Sequence, residues 1–362
     1  MPDYPLPAAP QRAAAPRLPA APRLPAAHDG AWLHACRVAL GLAVPGLALV
    51  LAGRPDLIIY AVFGSFAGMY GRGEPRWLRL RHQAQAGSVL LAGASIGILV
   101  AAAQAGPWLL VACAVPFAYA AAVATDGLGL NPQGPFFGIF ALGALATVPP
   151  GRVSPTTGLA ICAATAAFSV ALGLLGGGSP ASPVRHETEP GQSRLALTAA
   201  HAGRYALATA AAGSAGVLLG VDHANWAIAS AIIPLAAADP GRHLRPGLPS
   251  VLRRSGHRVL GTFAGLAVTL ALFAPGLDAA TAALAVMALL FPTELFMARH
   301  YGLALGFFTP LILMMTQLAA PEDPAVLVAF RAFDTVIGVA AGVLVAAVAL
   351  PRTRARVLAV VR

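Results

Sequence analysis

HACRVAL at 34–40 and HAGRYAL at 201–207 place a histidine and an arginine three residues apart, twice, each time at the start of a long apolar run. Residues three apart share one face of a helix. An ionised side chain at the centre of a bilayer costs roughly 2.5–3.5 kcal/mol on insertion scales, and less near an interface. His34, Arg37, His201 and Arg204 therefore have two readings. They form a cationic mouth that draws an anion toward a pathway, or they snorkel to lipid headgroups and set topology.

RAFDTVIG at 331–338 holds the second constellation, Arg331 and Asp334, again three apart. Asp334 is the carboxylate set furthest into an apolar segment. A carboxylate there can couple transport to protons, because its protonation can alternate with the face to which it is open. The other reading is an ion pair that fixes helix packing. Glu294, Asp126 and Asp222-His223 fall at the ends of apolar runs and read as solvated groups. Pro45, Pro116, Pro234 and Pro310 interrupt apolar runs. Broken helices are tolerated where protein or a wet cavity satisfies the freed carbonyls. Pro234 and Pro310 are candidates for cavity lining; simple kinks for packing are the alternative.

No HExxH, P-loop or GxSxG motif occurs, and no paired acids stand at metal spacing. No enzyme activity, metal or cofactor is expected. Cys36, Cys113 and Cys162 lie in apolar runs without metal or disulfide spacing and read as small apolar filler.

These residues need elements to hold them, and composition says which kind. Of 362 residues, 58% are hydrophobic and only 10% are charged. A soluble domain carries about 25% charged residues. The expected class is an all-α integral membrane protein, multi-pass, in the cell (inner or plasma) membrane. Twelve apolar runs follow Ala31, at about 32–52, 57–71, 84–104, 107–125, 134–150, 155–176, 200–220, 224–238, 256–274, 279–293, 301–318 and 328–350. The runs at 57–71, 224–238 and 279–293 are the short ones. A bilayer needs about 20 apolar residues per helix.

The net charge is +10, and the 24 basic residues are all arginine, most of them in the gaps. With both termini cytoplasmic, only Arg54, Arg152 and Arg331 of the 24 basic residues fall outside. That bias is the positive-inside pattern and argues against a nucleic-acid partner. Trp32, Trp108 and Trp226 open runs, where interfacial rings would sit.

The doubled heptapeptide then marks two six-helix repeats in parallel orientation, since six spans separate His34 from His201. Weaker echoes agree. Arg72 and Arg242 each end a second helix. GSVLLAG at 87–93 and GTFAGLA at 261–267 each open a third. Phe136-Phe137 and Phe307-Phe308 each open a fifth. The expected organisation is a disordered Pro/Ala/Arg-rich tail at 1–30 and a first membrane half at 31–176. A flexible linker at 177–199, a second half at 200–351 and a basic tail at 352–362 follow.

The second half resembles the fusaric acid resistance (FUSC) family of the aromatic acid exporter superfamily. The resemblance rests on Trp226, on Arg258, Gly261, Thr262 and Gly265, and on Arg331, Asp334, Thr335 and Gly338. The first half departs from the pattern. Tyr60 stands near the Trp position, Gly87-Ser88 replaces Gly-Thr, and no Arg-x-x-Asp opens the sixth run. Many members also carry a soluble region between the halves, for which 177–199 is too short.

The resemblance implies efflux of aromatic or other small organic acids across the inner membrane, driven by the proton gradient. Expected partners are a small organic anion and the bilayer, with a homo-oligomer left open. A passive organic-anion channel and a non-transport membrane scaffold are the rival functions. Arg37 and Arg204 would attract the anion, and Asp334 would couple it to protons.

Overall fold

Each of the twelve apolar runs holds a helix in the computed structural model, which describes residues 30–175, 194–220, 224–236 and 247–349. The helices are α1 (Ala31–Leu51), α2 (Ile58–Ser65), α3 (Arg76–Ala103), α4 (Pro107–Leu128), α5 (Phe136–Ala146) and α6 (Pro155–Gly173). They continue as α7 (Arg194–Leu218), α8 (Ala224–Ala231), α9 (Leu248–Phe273), α10 (Ala279–Met297), α11 (Tyr301–Ala319) and α12 (Pro324–Ala349). Among the described residues, eight helices are long and apolar enough to cross a membrane: α1, α3, α4, α6 and α9 to α12. The two tails and most of the expected linker, including Arg185, lie outside the described residues, as do Asp222-His223 and Arg242.

Helix ends follow local chemistry. Ser154 caps α6 by accepting from the Thr157 amide, and Asp278 caps α10 by accepting from the Ala280 and Thr281 amides. Asp323 accepts from the Ala325 and Val326 amides at the start of α12. Each cap satisfies amides that have no partner within the helix. Pro107 and Pro155 occupy the first turns of α4 and α6, where no amide is needed.

Two boundaries differ from the hydropathy reading for one reason. α3 begins at Arg76 and α9 at Leu248, each about two turns before its apolar run. Those turns carry Arg76, Arg79 and Arg81 in α3, and Arg253 and Arg254 in α9. Helix geometry continues through the arginines although hydropathy stops at them. α7 likewise begins at Arg194, inside the expected linker. The short element among the later runs is not α10, which has 19 residues; α5, with 11, is shorter than its run.

The helices form two shells. α2, α5, α8 and α11 are the inner ones. All eight residues of α2 and all eight of α8 are buried. Phe63 of α2 and Phe66 in the turn after it meet Phe140 and Phe137 of α5, and Phe308 of α11 packs on Phe66 and Phe140. Inner helices need not span lipid alone, because protein covers the backbone at their ends. The outer helices keep an apolar face outward: Leu40, Val44, Leu47 and Leu51 on α1, and Leu260, Phe263 and Leu270 on α9.

The contacts run in parallel through the two halves. α2 packs on α6, and α3 on α5 and α6. α8 packs on α12, and α9 on α11 and α12. Across the middle, α1 packs on α10 and α7 on α4, while α5 meets α8 and α11 meets α2. Glycines let α9 and α11 close up. A Cβ at Gly265 would sit 2.6 Å from Thr309 Cβ and 2.8 Å from the Leu305 carbonyl. In α3 the corresponding close approaches, to the Gly138 and Leu142 carbonyls of α5, come from Gly93 and Gly97. Gly87, aligned with Gly261 by sequence, sits against Ala67 instead. That echo was therefore read about two turns out of register. Phe307-Phe308 also lies two turns inside α11 rather than at its start.

Candidate functional site

A cavity of about 450 Å³ lies where the inner helices end. The turn after α2 brings Met69 and Arg72, and the loop before α5 brings Asn131 to Gly134. Ile233 follows α8, Arg254 and Arg258 stand on α9, and Glu294 ends α10. Phe136, Phe137, Leu305 and Phe308 supply an apolar floor, and Tyr301 a wall. The Gly71 amide donates to the Asn131 carbonyl, tying two of these loops together. Three guanidinium groups thus share the cavity with one carboxylate.

That carboxylate is not solvated. Glu294 is buried and accepts from Arg72 Nη2 at 2.6 Å, and it stands 2.9 Å from His34 Nε2. Arg72 also donates to the Glu294 carbonyl at 2.7 Å. Glu294 therefore joins α1 and the turn after α2 to α10. His201 meets a further covered acid: its Nε2 lies 3.9 Å from Asp126 Oδ2, with both side chains covered. His34 on α1 reaches the end of α10, and His201 on α7 reaches the end of α4. The reading of Glu294 and Asp126 as solvated groups is corrected. The two histidines each face an acid on the fourth helix of the opposite half, α10 or α4, which the heptapeptide alone did not disclose.

Arg37 and Arg204 are half-buried and do not line the cavity. Arg37 Nη1 donates to the Leu175 carbonyl at 2.8 Å. Arg79, buried on α3, donates from Nε to the Gly173 carbonyl at 2.6 Å. Both cations close the C-terminal end of α6, where carbonyls lack amide partners and the helix dipole is negative. Arg79 drew no attention in the sequence, because an arginine in a basic gap reads as topology. Pro234 and Pro310 are buried beside the cavity, not in its lining, although their neighbours Ile233 and Phe308 are.

The Arg-x-x-Asp pair is deep in the second half. Arg331 and Asp334 are 1% and 0% exposed. The Arg331 guanidinium lies 5.1 Å from the centroid of the Trp226 ring. Trp226 is 1% exposed, so it is a core residue and not the interfacial ring its position suggested; Trp32 and Trp108 are exposed. Arg258 Nη2 donates to Ser230 Oγ at 3.3 Å. Arg254 lies over the Tyr301 ring at 4.5 Å. Gly338 meets the Ala227 carbonyl and Ser230, and Thr335 donates to the Arg331 carbonyl. Thr262 is fully buried on α9. In the first half a Cβ at Gly158 would sit 2.7 Å from the Tyr60 ring, so α6 closes on α2 with no charged pair between them.

Buried helices ringed by membrane-length ones, around a charged cavity, are the architecture of a multi-pass helical membrane protein. Residues 207–345 match the family model described as fusaric acid resistance protein-like, so the second half of the chain is similar to that family. No curated protein and no solved structure matches the chain.

Proposed function

We propose that the protein is an inner-membrane efflux transporter of aromatic or related small organic acids, built from twelve spans as two parallel six-helix halves. The observation that carries this reading is the cavity. Its floor is aromatic and its walls hold three arginines against one carboxylate. An aromatic ring stacks on or against other rings at centroid distances of about 4.5–7 Å. A guanidinium takes a carboxylate through two parallel hydrogen bonds. The site therefore suits a ligand with an aromatic body and an acidic end. Anion attraction falls to Arg72, Arg254 and Arg258, while Arg37 and Arg204 serve helix ends and topology.

Parallel halves are supported by the matched packing of α2 on α6 with α8 on α12, and of α1 on α10 with α7 on α4. The cavity lies at the end of the bundle carrying the arginine-rich gaps, and with both termini cytoplasmic that end faces the cytoplasm. We assign proton coupling to Asp334: its protonation removes a negative charge from beside Arg331 and alters how strongly the arginines hold an anion.

Purified protein in proteoliposomes tests this. With an imposed proton gradient, a radiolabelled aromatic acid should accumulate against its own gradient, and Asp334→Asn should abolish the accumulation. Equilibration without accumulation would show a passive anion channel. Transport of neither kind, across a panel of aromatic acids, would leave a scaffold.

A further inference from the structure

Arg258 and Arg331 are an unusual pair for a membrane interior. Both side chains are buried, and they stand within electrostatic reach of one another. Nε and Nη1 of each lack a hydrogen-bond partner among the described residues. Asp334 is the nearby counter-charge, yet both its carboxylate oxygens also lack one. The expected ion pair is thus not formed by hydrogen bonds, and two cations face one anion. Arginine cannot shed its proton to escape the cost of burial. Isolated buried charge costs several kcal/mol per ion unless it is paired and hydrogen-bonded. Four buried guanidinium nitrogens without a hydrogen-bond partner, with one positive charge in excess, describe a receptor for an anion.

The surroundings give that receptor walls and an entrance. Trp226 covers one face of Arg331, and Ser230 holds Arg258 Nη2. Arg258 also lines the central cavity, and Tyr301 stands within reach of both arginines. An anion entering from the cavity would meet Arg254, then Arg258 one turn along α9, then Arg331. Arg331 is not in the cavity lining, so it marks a position beyond it.

We propose that the second half holds a deep anion site, beyond the central cavity and sharing Arg258 with it, in which Arg258 and Arg331 take one small monovalent anion beside Trp226. Asp334 is its tethered competitor. The carboxylate stands three residues from Arg331 on one helix face and offsets part of the positive charge that would hold the anion. The first half has no such site, since Gly158 faces Tyr60 where Arg331 faces Trp226. The site does not depend on which organic acid, if any, the protein carries.

Trp226 provides the readout. Trp32, Trp77 and Trp108 are exposed; replacing all three with Phe leaves one buried indole beside Arg331. Iodide, a contact quencher of indole, should quench this protein saturably in nanodiscs, and chloride should relieve the quenching by competition. Arg331→Gln should weaken iodide binding at least tenfold. Asp334→Asn should tighten it several-fold, a change opposite to that of general damage. Quenching linear in iodide and indifferent to chloride would overturn the site. So would saturable quenching unchanged by Arg331→Gln, or weakened by Asp334→Asn. Binding of an aromatic acid to the central cavity would stand apart from either result.

Discussion

Glu294 carries more than any other side chain at the cavity. Arg72 donates to it twice, once at the carboxylate and once at the carbonyl, and His34 meets the same carboxylate oxygen. Removing one partner of a buried ion pair leaves the other uncompensated, at a cost of about 3–5 kcal/mol. Glu294→Ala should lower unfolding stability by about that amount, measured by thermal unfolding in detergent. His34→Ala should then cost little more in the Glu294→Ala background, because the two share one interaction. A second residue gives a pH signature. Asp278 lies outside the membrane-spanning segments, and its hydrogen bond from Thr281 holds its carboxyl below the usual carboxylate value. A depressed folded value means a contribution present above the ordinary range and lost as pH falls through the folded value. Asp278→Asn should therefore unfold at lower temperature than the parent at neutral pH, and the difference should close at strongly acidic pH.

At the scale of helices, close approach decides which glycines matter. Gly265 faces Thr309 at 2.6 Å and Gly338 faces Ser230 at 2.7 Å, whereas nothing lies within 4 Å of a Cβ at Gly306. Gly265→Val or Gly338→Val should destabilise by about 1–3 kcal/mol or more through overpacking. Gly306→Ala should stabilise by about 0.5–1 kcal/mol, since a helix position with open space beside it gains from lost backbone freedom in the unfolded chain. Equilibrium unfolding of the three variants in one detergent separates them.

The same scale shows what was legible beforehand. Twelve helices were visible because each buries or offers to lipid a continuous apolar stretch, which hydropathy measures directly. Their starts at Arg76, Arg194 and Leu248 were not, because helix geometry does not stop where polarity begins. His34 and His201 could be singled out by repetition, but their partners Glu294 and Asp126 could not. Those acids sit at helix ends, where sequence favours solvent, and only the packing of α1 on α10 and α7 on α4 covers them. Trp226 was misplaced for the mirror reason: an aromatic at the start of a run suits an interface unless another helix lies outside it. Asp334 is fully buried in the protein, as its place inside an apolar run suggested.

For the whole molecule, the inner shell of α2, α5, α8 and α11 brings aromatic side chains to one cavity, and the turns around it bring cations. Neither half completes the site. Arg72, Asn131 and Phe137 come from the first, and Arg254, Arg258 and Glu294 from the second. Movement of one half against the other would therefore divide both the apolar floor and the arginine walls and release what is bound, the requirement of a carrier with a single site between repeats. The His34–Glu294 and His201–Asp126 contacts span the same boundary and would have to give in such a movement. The central claim is that this cavity holds the acidic group of an aromatic acid by its arginines. Equilibrium binding of radiolabelled benzoate to the purified protein, beside its neutral counterpart benzamide, tests it most directly. Benzoate should bind at least tenfold more tightly than benzamide, and Arg254→Gln with Arg258→Gln should erase that preference. Equal binding of the two compounds, or a preference untouched by the double substitution, would contradict it.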